Sequence, residues 1–142
     1  MIYWIGIALA IRWSMSQSTT CSVLIAEDDP DQRENLSETL IECGFKVEAV
    51  ADGDTALSRL IDGAHDLAIL DIRMPGKNGL QVMRQLRLHE GGKKHLPVFL
   101  VSAFITDSDG SILVDSGADA AFSKPFRVSE LLQAVGSAIR RI

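Results

Sequence analysis

At 142 residues, with 46% apolar and 23% charged side chains, the chain has the size and composition of one globular domain with one core. Its 19 Asp and Glu against 14 Lys and Arg leave a net charge of -5, the wrong sign for direct nucleic-acid binding, and no basic stripe with interleaved aromatics offsets it. Cys21 and Cys43 have neither CxxC spacing nor a histidine cluster beside them, which argues against a zinc site or a disulfide framework and for reduced, semi-buried thiols.

The first segment differs from the rest. Met1 to Ile11 is almost wholly apolar, and Arg12 then interrupts the run. It is shorter than the ~20 apolar residues that a membrane-spanning helix needs, and it lacks the basic start and small-residue cleavage site of a signal peptide. It reads as an extension ahead of a start at Met15, as a docking helix, or as the remnant of a longer upstream membrane segment; the expected location is cytoplasmic. Ser14 to Thr20 is a polar linker, so residues 1–20 are set apart from a folded domain over 21–142.

From Cys21 onward short aliphatic runs alternate with polar amphipathic stretches, the pattern of alternating strands and helices. Val23 to Ala26 is the first strand. Asp29 then caps a helix with Pro30 in its first turn, Gln32 at capping-box spacing, Leu36, Leu40 and Ile41 facing inward, and Gly44 as its stop. Lys46 to Val50 is the second strand, followed by a helix over Asp54 to Asp62 with Leu57, Leu60 and Ile61 inward and Gly63 at its end. Leu67 to Leu70 is the third strand. A helix after Asn78 buries Leu80, Met83 and Leu86, and Gly91-Gly92-Lys93-Lys94 links it to a fourth strand, Val98 to Val101. A short helix over Ser108 to Ser116, a strand over Ala121 to Ser123 and a helix over Val128 to Arg140 complete the chain. Leu131, Leu132, Val135, Ala138 and Ile139 line one face of the last helix. His65, His89 and His95 are scattered, with solvated or helix-end positions expected.

The first, third and fourth strands are continuous apolar runs, which implies burial on both faces. Right-handed crossovers then give a doubly wound, five-stranded parallel sheet flanked by five helices. Ligands bind such sheets at the carboxyl ends of the strands, where strand order reverses. The residues at those ends are Glu27 and Asp28, Asp71, Ser102 and Lys124. Three carboxylates brought together repel one another unless a cation balances them, and an all-oxygen set with room for water suits Mg²⁺. Lys124 and Ser102 add a point cation and a hydroxyl donor, which together describe a phosphoryl site with Asp71 as nucleophile.

Four segments, VLIAEDDPDQREN, DLAILDIRMPGKNGL, VFLVSA and GADAAFSKPF, resemble the receiver domains of two-component response regulators, across about residues 21 to 142. The resemblance implies a flavodoxin-like fold and Asp71 as the acceptor from a sensor histidine kinase or a histidine phosphotransfer protein. It further implies Mg²⁺ held by Asp28, Asp71, Glu27 largely through water, and the main-chain carbonyl of Arg73. Lys124 would pair with the acceptor ahead of a cis Pro125, and Arg73 and Phe104 would tune phosphoryl lifetime. By the same resemblance the chain is not an enzyme with a separate substrate, and output runs to a protein effector through the fourth helix, fifth strand and fifth helix. A weak homodimer is compatible with it.

Asp29 reads as a helix cap rather than a metal ligand, Asp31 and Glu34 as first-turn residues, and Gly79 as a turn residue. Where the family has an aromatic three positions before the lysine this chain has Ala121, and Phe122 is expected to face the other side and be buried. That departure keeps a second reading open, a receiver-fold interaction module not regulated by phosphorylation. An aspartyl phosphatase of the haloacid dehalogenase type would want an acid at the position of Arg73, and a flavin binder would be repelled by Glu27, Asp28 and Asp29.

Overall fold

The computed structural model describes residues 20–92, 95–103 and 117–139. In chain order its elements are β1 (Ser22–Ala26), α1 (Pro30–Glu42), β2 (Lys46–Val50), α2 (Gly53–Asp62), β3 (Leu67–Asp71), α3 (Gly79–Glu90), β4 (Val98–Ser102), β5 (Ala120–Ser123) and α4 (Val128–Ile139). All five strands are parallel, in the order β2-β1-β3-β4-β5. The chain leaves β1 toward one edge and returns through β3 toward the other, so the loops after β1 and β3 diverge and leave a crevice between them.

Alternation along the strands sorts the core into two layers. Val23, Ile25, Leu67, Ile69, Phe99 and Val101 face Leu40 of α1 and Leu131, Leu132 and Val135 of α4. Leu24, Ala26, Ala68, Leu70, Val98 and Leu100 face Ala56 and Leu60 of α2 and Val82, Met83 and Leu86 of α3. Each fully buried Leu, Ile or Val contributes roughly 1.5–3 kcal/mol, so both layers contribute to holding the helices on the sheet.

The caps follow the sequence with one exchange. Asp29 caps α1 by accepting from the backbone N–H of Asp31 and Gln32, as read from the sequence. The reciprocal capping box is at α3, where Asn78 and Gln81 bond each other's backbone N–H. Gln32 does not close one on α1, because its side chain is engaged elsewhere.

Three further expectations are corrected. Ile41 is 55% and Ile61 38% exposed, because each lies one residue past the core-facing Leu40 and Leu60 and is turned by about 100° from that face. His65 is buried, with Nε2 2.8 Å from Glu48 Oε1, and Arg59 bonds the same carboxylate from α2. Cys21 and Cys43 form no disulfide, and both are buried rather than semi-buried. Among the described residues no helix is long and apolar enough to cross a membrane. The apolar N-terminal segment, the helix expected over Ser108 to Ser116, Phe104, Lys93, Lys94 and Arg140 lie outside the described residues.

Candidate functional site

At the carboxyl end of β1 the chain continues as Glu27, whose N–H donates to Val50 O of β2 at 3.1 Å and whose carbonyl accepts from Arg33 Nη1 at 2.9 Å. These bonds fix the turn into α1. They leave Glu27 buried and Asp28 exposed at the crevice.

β3 ends at Asp71, which is 5% exposed and held on three sides. Its Oδ1 accepts from the Arg73 N–H at 3.0 Å, while Ile72 N–H donates to Val101 O of β4. Gly79 seats α3 against the end of β3, since a Cβ there would lie 2.3 Å from Asp71 O. Gly79 therefore serves close packing behind Asp71 as well as the turn into α3.

β4 delivers Ser102, buried, beside Ser123 of β5, and Lys124 N–H donates to Ser102 O at 2.9 Å. Lys124 precedes a cis peptide bond to Pro125. Its ammonium reaches across the sheet to Asp71 Oδ2 at 2.7 Å, to Glu27 Oε1 and to Gln32 Oε1 at 2.7 Å.

The strand ends thus bring together Glu27, Asp28, Asp71 and Lys124, with Ser102 at the adjoining end of β4. Glu27, Asp28 and Asp71 offer carboxylate oxygens within 4.8 Å of one another. Glu27 Oε2 is buried without a hydrogen-bond partner among the described residues, an acceptor that a hard divalent cation fits. Burial, then the neighbouring Asp71 carboxylate, pushes the Glu27 carboxyl up to about 7 against the pull of Lys124. Burial also works against a charged Lys124, but the bonds to Asp71 and Glu27 prevail and lift it above its ordinary range. Such a set can neutralise an anionic group placed against Asp71, by the cation it would hold and by the ammonium it already holds.

Asp29 stays on the helix, its carboxyl lowered by the Gln32 and Asp31 backbone bonds. The one participant that sequence reasoning missed is Gln32. Its position in the first turn of α1 signalled a cap, and nothing in the local sequence pointed to a lysine 92 positions downstream. Ala121 is half-buried on the side of the sheet that α2 and α3 cover, and Phe122 points the other way. Phe122 is only partly buried, against Phe99 and Phe126, because β5 is an edge strand.

The chain matches the response regulator receiver domain over residues 23–136. It is 34% identical over 119 residues to the DNA-binding response regulator MtrA of Mycolicibacterium smegmatis, a match covering 84% of this chain and 50% of that protein. The chain spans about half the length of the curated relatives it matches. Among solved structures it resembles the response regulator TrrA of Thermotoga maritima, solved in complex with Mg²⁺-BeF, at 33% identity and a TM-score of 0.73 over 84% of this chain and 99% of that one. It also resembles the Francisella response regulator 1452 receiver domain, at 26% identity and a TM-score of 0.79 over 86% and 98%. The sequence match runs from β1 into α4, across every strand and every residue of the crevice, and the chain belongs to the response regulator receiver domain family.

Proposed function

We propose that the chain is a phosphoacceptor in a cytoplasmic two-component phosphorelay, taking a phosphoryl group onto Asp71 from a phosphohistidine of a sensor histidine kinase or a histidine phosphotransfer protein. The observation that carries this reading is the convergence of Glu27, Asp28 and Asp71 within 4.8 Å, with the Lys124 ammonium on Asp71 itself.

An oxygen of Asp71 forms a bond to phosphorus as the bond from phosphorus to the donor nitrogen breaks, and the imidazole leaves with the electron pair. Glu27, Asp28, Asp71 and the main-chain carbonyl of Arg73 would hold Mg²⁺, which when bound neutralises phosphoryl oxygens. Lys124 supplies a second positive charge, and Ser102 a hydroxyl donor, from the neighbouring strand ends. The likeness to TrrA, which was solved with Mg²⁺-BeF, supports both the metal and the phosphoryl position. The chain assists its own phosphorylation and dephosphorylation and turns over no separate substrate. Its signal passes to a downstream protein effector, and the net charge of -5 argues against nucleic-acid contact by this domain itself.

With Mg²⁺ and acetyl phosphate the protein gains one acid-stable, base-labile phosphoryl group by intact mass. Asp71→Asn removes that mass shift; a variant that kept it would sink the assignment of the acceptor.

A further inference from the structure

Glu27, Asp28, Asp71, Ser102 and Lys124 come from the ends of β1, β3, β4 and β5, yet the junction between β2 and α2 touches both walls of their crevice. At its start Val50 O accepts from the Glu27 N–H, which fixes the turn carrying Glu27 and Asp28. Further on, the buried Gly53 lies against the loop that follows Asp71. Its N–H donates to Pro75 O at 3.4 Å, and a Cβ in its place would overlap Lys77 O. Asp54 completes the contact. It accepts from Lys77 Nζ at 2.9 Å, and its Oδ2 occupies the space beside Gly76, whose φ of 72° is a conformation that glycine adopts freely.

The loop is stiff enough to carry that contact back to the crevice. Pro75 has its φ fixed at roughly −65° and confines Met74 to extended backbone. The Arg73 N–H is held by Asp71 Oδ1 at 3.0 Å. Few free torsions therefore separate the anchored Pro75 carbonyl from the Arg73 carbonyl, and the placement of one sets the other. We infer that Gly53 is a positioning residue: the β2–α2 junction ties the turn of Glu27 and Asp28 to the loop of Arg73 and so fixes the separation of the two walls that would hold the cation. The inference rests on the Mg²⁺ reading of the crevice given above. A fixed separation matters more to one ion than to another. Mg²⁺ demands near-ideal octahedral geometry, whereas Ca²⁺ accepts a variable set of oxygens at longer distances. Release of the junction costs Mg²⁺ affinity first, so Gly53 bears on which cation is held although it lies outside the ligand set.

The test titrates Mg²⁺ alone and Ca²⁺ alone into the full, unphosphorylated chain by calorimetry. Gly53→Ala pushes the loop outward and lowers Mg²⁺ affinity about tenfold, the scale on which supports outside the ligand set act, while Ca²⁺ affinity changes by about twofold or less. Pro75→Ala, at an exposed position, keeps the carbonyl acceptor and loosens its link to Arg73; it lowers Mg²⁺ affinity about two- to fivefold and Ca²⁺ affinity by less. Val135→Ala, in the core under α4, lowers global stability and leaves both affinities as in wild type. Unchanged Mg²⁺ affinity in a folded Gly53→Ala or in Pro75→Ala, a Ca²⁺ affinity that falls as far, or an equal fall in Val135→Ala overturns the inference. Pro75→Ala decides alone if Gly53→Ala does not fold. A wild-type chain that binds neither ion overturns the magnesium reading itself, and this inference with it.

Discussion

Glu27 has one carboxylate oxygen on Lys124 and the other buried, and its folded-state value of about 7 lies above the ordinary 4.5. Between those two values the folded chain holds a proton that the unfolded chain has released, so this group's contribution to stability falls as pH rises through the window. Lys124 is raised above its ordinary 10.5 and stays charged throughout, so it does not mask the effect. Urea unfolding without divalent ions should therefore show a lower midpoint at pH 7.5 than at pH 5.5 from this group, and Glu27→Gln should flatten the difference. Magnesium needs the carboxylate, so its affinity should rise over the same window, by at most about tenfold per pH unit. The identities of Glu27, Asp71, Ser102 and Lys124 as strand-end residues could be read in the sequence, since each follows a recognisable apolar run. The partner of Gln32 could not, nor could the pairing of His65 with Glu48, because both join residues brought together only by the crossovers.

At the scale of elements, the site depends on how tightly helices seat against strand ends. Gly79 lets α3 approach the backbone of Asp71 where a methyl group would lie 2.3 Å from its carbonyl oxygen. Gly79→Ala should cost about 1–3 kcal/mol in thermal or urea unfolding, the usual penalty for overpacking. It should also slow phosphorylation by acetyl phosphate, because relief of the clash displaces Asp71. A variant with wild-type stability and rate would show that the approach is not required. Strand positions were legible because apolar runs have a sharp beginning and end. Helix faces were less so: Leu40 and Ile41, or Leu60 and Ile61, are equally apolar neighbours, and only the sheet beneath decides which one is buried.

Across the whole molecule, β1, β3 and β4 lie inside the sheet and β2 and β5 on its edges. The burial patterns follow that order, complete along β3 and β4 and partial along β2 and β5. Native-state hydrogen exchange should show the slowest amides at Leu24, Ile69 and Leu100 and faster exchange along β2 and β5; equal protection across all five strands would contradict this layering. The doubly wound architecture was legible because three continuous apolar runs demand cover on both faces. The contact of Lys124 with Glu27 has a further consequence for how the protein is made. Its two partners stand 97 positions apart, and Lys124 and Asp71 stand 53 apart. Every parallel strand pair requires a crossover, so the convergence of Glu27, Asp71 and Lys124 does not form from local contacts alone. A nascent chain that has not yet delivered β5, or one clipped before it, carries Asp71 without the Lys124 ammonium. Under the function proposed above, a product clipped before β5 should accept phosphoryl groups poorly, because it lacks the ammonium that Lys124 brings to Asp71.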